Sequence, residues 1–391
     1  MQTVQYSATS AYISTQGIPS FVTGPFINNP RTVAAVQNAL FKFPLVPVIS
    51  TLGNVQTQAT GAANIGIFIN GVALYSYGDG HSYRNSTASD VPTPNGGDGV
   101  WNRDAVVGER LGFDCSKGHP AGTNYHHHQS PSAFKLDKTV ISTICNLYDA
   151  DGLYVLDSTV HSPLIGFAYD GFPVYGAYGY KNADGTGGIV RMKSSFSLRN
   201  ITTRTHLYTG VDVTDGPAVS TTFPLGLYRE DYEFIANSGQ DYLDIHNGRF
   251  CITPEYPNGI YCYFTTVNNT HNSTYPYVVG PTFYGNKVVT TVPIVPAGTT
   301  TLSSNTFENF DFKITIAPNP ASEFIAIQTQ MTENDLKVEL INELGQIVKE
   351  NKILQGSTLT IIETDSVYNG IYFIRISNGN QSKSYKVIIA K

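Results

Sequence analysis

Apolar positions along this chain fall in short runs broken by turn residues. Between Val4 and Ile49, strand-like pieces alternate with Gly, Pro and Asn, as in Ser20-Phe21-Val22-Thr23-Gly24-Pro25-Phe26-Ile27-Asn28-Asn29-Pro30. Ile65-Gly66-Ile67-Phe68-Ile69-Asn70-Gly71-Val72-Ala73-Leu74-Tyr75 reads as two strands about Asn-Gly, a dipeptide that readily takes the positive φ angles of a tight hairpin. Helical spacing is confined to two short candidates, Arg31 to Leu40 and Asp104 to Leu111. No self-similarity with a period of 20 to 50 residues is visible, so a propeller or solenoid is not expected.

The pattern changes near residue 296. A stretch rich in Gly, Thr, Ser and Asn (Ala297-Gly298-Thr299-Thr300-Thr301-Leu302-Ser303-Ser304-Asn305-Thr306) reads as a linker. Beyond it come aliphatic runs typical of half-buried strands: Lys337 to Asn342, Thr358 to Ile362 and Ile371 to Ile376. The expected fold is therefore mainly β. A β-rich domain over 1–295, sandwich-like or jelly-roll-like, precedes a linker over 296–312 and a small Ig-like β-sandwich over 313–391.

Composition supports that reading. Gly (36), Pro (21), Tyr (25) and Phe (20) are abundant, and 41% of the 391 residues are hydrophobic, enough to build sizeable cores. Charged residues are only 14% and the net charge is -6, with no basic stripe, which leaves nucleic-acid binding without an electrostatic basis. No apolar run reaches the roughly 18 residues that would span a bilayer as a helix. A nucleophile elbow, a P-loop, a dinucleotide fingerprint and a His-Glu-x-x-His motif are all missing, which argues against serine hydrolases, kinases, nicotinamide enzymes and zincins.

The opening residues lack a charged segment followed by an apolar run, so either the protein is cytosolic or a signal peptide has been removed before Met1; the even number of four cysteines favours the second. Cys251 and Cys262 flank a segment with Pro and Asn-Gly turn signals, so a bridge between paired strands is plausible, which leaves Cys115 for Cys145. Four cysteines allow three connectivities, and four buried thiols are the alternative.

The carboxy-terminal segment carries an ordered set of marks. Ile316-Ala317-Pro318-Asn319-Pro320-Ala321 opens it, Ile341-Asn342-Glu343-Leu344-Gly345-Gln346 lies in the middle, and Tyr368-Asn369-Gly370-Ile371-Tyr372-Phe373 and Lys386-Val387-Ile388-Ile389-Ala390-Lys391 close it. This resembles the type A sorting domain of the type IX secretion system of Bacteroidota. The resemblance implies a partnership with that machinery, export across the outer membrane, and release or anchoring at the cell surface.

Candidate chemistry gathers in histidine-bearing stretches: Asp114-Cys115-Ser116-Lys117-Gly118-His119-Pro120, Asn124-Tyr125-His126-His127-His128-Gln129, His161 to Gly176, and Asp241 to Phe250. On a strand, His126 and His128 share one face while Tyr125 and His127 share the other. Two histidines at i and i+2 with a third from elsewhere, drawn from His119, His161 and His246, suit Zn(II), Cu(II) or Fe(II). Asp170 and Asp244 are candidate oxygen ligands, bases or partners that orient a histidine. The bland reading is that Asp170-Gly171 is turn chemistry and that the histidines satisfy backbone groups. The tyrosines first reflect strand preference, though a tyrosine-lined cleft would suit a carbohydrate.

These stretches, with Asn70-Gly71-Val72, Asp79-Gly80-His81-Ser82-Tyr83, Gly99-Val100-Trp101, Thr253-Pro254-Glu255-Tyr256-Pro257 and Tyr275-Pro276-Tyr277, resemble the YHYH family of extracellular proteins over residues 65–285. The third motif position is His127 instead of Tyr. The resemblance brings no biochemical role, so the residues must supply one. Three functions are expected to compete. The first is an exported metal-dependent hydrolase with Asp170 or Asp244 as base. The second is a metal-independent polysaccharide lyase or hydrolase, with a Tyr/His pair (Tyr125 the candidate) moving the proton and Arg249 neutralising a sugar carboxylate. The third is a non-enzymatic metal-binding or adhesive surface protein.

Overall fold

Short apolar runs become short strands throughout. The structure, a computed structural model, describes residues 2–19, 21, 23–26, 33–51, 64–92, 97–131, 157–287, 290–302, 314–332, 334–343, 345–378 and 382–391. The chain divides into two compact units, 1–302 and 303–391. The fold is mainly β, and the α-helix among the described residues is a single turn.

The first unit opens with β1 (Gln2–Tyr6), β2 (Ser10–Thr15) and β3 (Ala39–Pro44), followed by the hairpin β4 (Asn64–Phe68) and β5 (Ala73–Tyr75). Next come β6 (Gly78–Arg84), β7 (Ser89–Pro92) and β8 (Asn102–Asp104), the helical turn α1 (Ala105–Gly108), then β9 (Gly118–Ala121) and β10 (Asn124–His127). A second hairpin, β11 (Leu164–Ala168) and β12 (Pro173–Tyr175), leads to β13 (Tyr178–Tyr180), β14 (Ile189–Arg191), β15 (Phe196–Leu198) and β16 (Tyr232–Phe234). The unit closes with β17 (Gly248–Cys251), β18 (Ile260–Phe264), β19 (Thr290–Thr291) and β20 (Thr300–Thr301).

Its centre is an eight-stranded sheet in the order β17-β18-β12-β11-β4-β5-β10-β9. Read outward from the middle, both halves repeat one pattern: a hairpin, a strand parallel to it, and an antiparallel edge strand. The registers agree residue by residue. Gly66 faces Leu74 and Ile67 faces Ala73 in one hairpin, while Gly166 faces Val174 and Phe167 faces Pro173 in the other, each with an irregularity one residue earlier. Leu74 then pairs with His127 and Val174 with Tyr263, both in parallel. The halves join antiparallel, with Ile67 opposite Phe167. The first unit is thus an internal duplication whose hairpins are 100 residues apart, a spacing far outside the short periods expected of repeat folds.

The five-stranded sheet β19-β3-β2-β1-β20 shares one core with this sheet. Ile13, Phe41 and Phe43 meet Ile67, Phe68, Tyr125 and Tyr263 there, where apolar burial supplies the main favourable free energy. Two sequence expectations are corrected. Residues 33–38 of the first helical candidate are irregular and run directly into β3, because Ala39–Pro44 pairs with β2 as a sheet strand. Residues 300–301, expected to lie in the linker, add a strand to β1 of the first unit. The central sheet also has two parallel pairings, which the antiparallel sheets of a jelly roll lack.

Cys251 and Cys262 do not form the expected bridge: both are buried free thiols with Sγ atoms 3.8 Å apart. Cys251 faces Ile260 and Cys262 faces Arg249, so the cysteines are diagonal neighbours. Diagonal positions are about 7–8 Å apart, longer than the usual disulfide span. Cys115 is disulfide-bonded, and Cys145, its expected partner, lies outside the described residues.

The second unit holds β21 (Thr315–Ala317), β22 (Phe324–Gln328), β23 (Leu336–Asn342), β24 (Ile347–Ile353), β25 (Leu359–Glu363), β26 (Gly370–Ser377) and β27 (Ser382–Ile389). They form a three-stranded and a four-stranded sheet with a common core of Ile325, Ile327, Val338, Leu340, Ile374 and Val387. The Pro318-Asn319-Pro320 turn is fastened to the last strand: Asn319 accepts from the Ile388 amide at 2.8 Å and donates to the Lys386 carbonyl at 3.1 Å.

The duplication explains Asp170. It takes the place of Asn70 in the second hairpin turn, is fully buried, and accepts from Tyr263 Oη at 2.5 Å and the Gly285 amide at 2.9 Å. Burial outweighs those donors and pushes its carboxyl up from 3.8 to about 6. The folded chain therefore keeps a proton that the unfolded chain has already lost, so this group's contribution falls as pH rises from about 4 to about 6, by roughly 1.4 kcal/mol per pH unit. Asp170→Asn, which installs the residue of the other hairpin, should remove that slope. Urea unfolding of both proteins at pH 4.5 and 6.5 measures it, and an unchanged slope would rule the assignment out.

Candidate metal centre

Strand alternation on β10 divides its histidines. Tyr125 and His127 enter the core, and His126 and His128 emerge on the opposite face. The β9–β10 register sets His119 directly across from His126. Three imidazoles from one hairpin thus converge: His126 Nε2 lies 3.0 Å from His128 Nε2, and His119 Nε2 lies 3.4 Å from His128 Nε2. Donors bound to zinc at about 2.0–2.1 Å sit about 3.3–3.4 Å apart at tetrahedral corners, so the cluster has the dimensions of a ligand set. Among the described residues, His119, His126 and His128 form the group of three His, Cys, Asp or Glu side chains close enough to hold one ion.

The far nitrogens are committed elsewhere. His126 Nδ1 faces the Asn124 carbonyl at 3.0 Å, and His128 Nδ1 faces the Ser76 carbonyl. Each carbonyl accepts the Nδ1 proton, which leaves the Nε2 lone pair aimed at the common centre, the arrangement that orients histidine ligands in metal sites. Tyr75 stacks on His126 with ring centroids 3.8 Å apart, and its hydroxyl accepts from the Asn124 side chain at 3.2 Å. The rings therefore have little freedom to turn away.

Glu109 stands beside the cluster and was missed as a site residue, although it lies within the helical candidate 104–111. The helix forms as one turn capped by Asp104, which accepts from the Val106 amide at 2.8 Å and is held up at about 7 by burial. Glu109 follows that turn and sets Oε2 3.2 Å from both His119 Nε2 and His128 Nε2. Oε2 is buried yet makes no contact of hydrogen-bond geometry. A carboxylate crowded against two of the three imidazole nitrogens, neither donating properly to it, suits a site where a divalent cation would bind. Glu109 and His119 keep the site's only solvent contact among these four residues, with side chains 22% and 13% exposed.

Electrostatics follow from burial. His126 is driven well below the ordinary imidazole range, first by burial and then by its neighbours His128 and His119. Burial would also lower His128, but the Glu109 carboxylate raises it overall. Glu109 is pulled below the usual carboxylate range, since His119 and His128 overcome the effect of its burial.

The other expected site residues lie elsewhere. His127 points away, as alternation predicts, but it is fully buried among Phe21, Phe68 and Tyr125, and burial lowers it to about 3. Tyr125 is not available as a proton shuttle: it is fully buried on the core face, donates to Asp114 at 3.0 Å, and is raised well above its ordinary pKa by that burial. His161 packs on Tyr175 and Tyr180 with Nδ1 2.7 Å from the Ser162 carbonyl. His246 Nδ1 meets Thr282 Oγ1 at 2.8 Å. Neither belongs to the three-histidine group. Asp244 caps a turn, accepting from the His246 amide at 2.9 Å and from Tyr261 Oη at 2.9 Å. Arg249 donates to the carbonyls of Lys181 and Tyr180, so its charge is already engaged. Tyr175, Tyr261 and Tyr263 are buried, with hydroxyls on Glu255, Asp244 and Asp170.

Comparison with known proteins agrees with this division. Residues 315–390 match the secretion system C-terminal sorting domain, which marks the chain for export to the cell surface or medium. No helix among the described residues is long and apolar enough to cross a membrane. No curated protein matches the chain. A solved structure of PorZ, an essential surface component of the type IX secretion system of Porphyromonas gingivalis, aligns at 11% identity over 98% of this chain and 50% of that one, with a TM-score of 0.18. The chain thus spans about half the length of that protein. Residues 40–277, which include both halves of the duplicated sheet, match the YHYH protein family, and the chain belongs to that family.

Proposed function

We propose that this exported protein is a metal-dependent hydrolase whose centre is held by His119, His126 and His128, with Glu109 at its open side. The convergence of three Nε2 lone pairs, two of them fixed by Nδ1 contacts to carbonyls, carries this reading. Imidazole and carboxylate donors favour zinc or another first-row divalent ion over metals that need thiolates. Such an ion supplies Lewis acidity and lowers the pKa of coordinated water. The chain's own residues do the rest. His126 and His128, almost fully buried, fix the geometry, and Phe113, against both His119 and His128, keeps water from that side. Glu109, the most exposed of the four, is placed to accept a proton from water or to serve as fourth ligand. The substrate is extracellular, and polysaccharides are the first class to screen.

A second reading has one observation in its favour. Glu109 Oε2 lies 3.2 Å from two of the three imidazole nitrogens, near enough to serve as a fourth ligand, and a closed set of four protein ligands is the mark of a structural metal site. In that case the protein binds metal without turnover.

Purified full-length protein should retain one equivalent of zinc after dialysis, measured by elemental analysis. His126→Ala should weaken binding by more than about 100-fold, since losing a ligand exceeds the cost of losing its supporting partner. Glu109→Gln separates the two readings: a hydrolase keeps its metal and loses turnover, whereas a structural site loses metal affinity and thermal stability together. Full-length protein that binds no divalent ion would end both.

Export is tested separately. A chain ending at Leu302 should fold and bind metal as the full protein does, because both sheets and all four centre residues lie within 1–302. Produced in a host with a type IX system, it should remain inside the cell while the full chain reaches the surface or medium. Equal secretion of both would remove the assignment of the second unit.

A further inference from the structure

The duplication provides a second copy of the metal cradle with different side chains. Asp114 and Asp244 open equivalent turns: each amide donates to the carbonyl of Gly118 or Gly248, at 2.9 and 3.0 Å. Lys117 and Asn247 take the same left-handed conformation, with φ of 62° and 63°. Tyr125 donates to Asp114 at 3.0 Å, as Tyr261 does to Asp244 at 2.9 Å. A Cβ on Gly118 or Gly248 would lie 2.4 Å from the Tyr125 or Tyr261 hydroxyl, so both positions need glycine. The turn, the tyrosine and the glycine are the same machine twice.

The cradle face differs. His119 faces His126 in the first copy, and Arg249 faces Cys262 in the second. One step along, His127 corresponds to Tyr263, and His128 therefore to Phe264. Tyr75, stacked on His126, corresponds to Tyr175, which instead donates to Glu255 at 2.8 Å. Three imidazoles have become a guanidinium, a thiol and a phenyl ring. The Arg249 guanidinium stands 5.9 Å from the Phe264 ring centre, among the positions that match the three ligands. It donates to the carbonyls of Tyr180, Lys181 and Gln240, tying the outer strand β17 to the segments beside it.

We infer that Arg249 is a built-in cation that replaces, in the second copy, the divalent ion of the first. The β9–β10 hairpin then depends on a bound ion for its rigidity, and the β17–β18 hairpin does not. The comparison with the first copy rests on the metal-binding reading above; the clamping role of Arg249 does not. Physically, a guanidinium offers five donors in a fixed plane and never titrates in the accessible range, so it can hold several carbonyls at once without an exchangeable partner. The divalent site is correspondingly single, and the second copy is a latent one.

Hydrogen exchange on the full-length protein, with zinc and after removal by a chelator, tests this. Peptides over 118–128 should exchange about tenfold faster or more without zinc, while peptides over 248–264 stay the same. In Arg249→Met the pattern should invert: 248–264 loses protection and zinc stoichiometry stays at one. The combined variant R249H/C262H/F264H should bind a second equivalent of zinc. If that variant does not fold, the first two measurements decide. Deprotection of 248–264 on chelation, or full protection of it in Arg249→Met, overturns the inference. Absence of any zinc in the wild type overturns the proposed function instead, and Arg249→Met still reports on the clamp.

Discussion

The close antiparallel contact between β4 and β11 is what the larger unit is built around. Ile67 lies opposite Phe167, and the strands approach so closely that a Cβ on Gly66 would meet the Phe167 carbonyl at 2.7 Å and one on Gly166 would meet the Ile67 carbonyl at 2.6 Å. Only glycine permits that approach. Each half alone would expose the inner edge of a four-stranded sheet, a row of unsatisfied backbone groups. Joined, they satisfy each other, and the outer edges carry the two hairpins where side-chain chemistry has diverged.

Residues that build those hairpins differ from residues that use them. The Asp-Tyr-Gly set recurs in both copies because it solves a folding problem: an aspartate in the turn takes up the backbone amides and the buried tyrosine hydroxyl, which would otherwise be costly to bury. The cradle positions answer to a different demand. They face away from the core between the two large sheets, and in the second copy Cys262 and Phe264 instead join a smaller apolar cluster with Tyr175, Met192 and Leu243.

Gathering three imidazoles and a carboxylate in a buried space is unfavourable unless their charges are balanced. In the first copy the Glu109 carboxylate stands beside His119 and His128, and a divalent ion would balance it. In the second copy the matching positions hold Arg249, Cys262 and Phe264, the last two packed in an apolar cluster with Met192 and Leu243. The second unit of the chain, with its apolar core and its tethered Pro-Asn-Pro turn, adds an export signal.

Local features were legible in the amino-acid order. The Asn-Gly hairpin, the aliphatic strands of the second unit, the sorting motifs and the division of His126 and His128 from His127 all follow from backbone geometry over a few residues, where side chains alternate and turns need particular φ angles. His119 was legible as a candidate, but its choice over His161 and His246 was made by the β9–β10 register. Glu109 joined through a helical turn ten or more residues away from the hairpin's first ligand. Asp170, Asp244, Tyr125 and Arg249 had the right chemistry and the wrong surroundings, since each is engaged by backbone or hydroxyl groups distant in sequence. The duplication stayed hidden because its copies share only the few glycines, aspartates and tyrosines that the turns and close contacts require. Neighbouring residues constrain one another through the chain itself, whereas the meeting of residues far apart is decided by which surfaces bury each other.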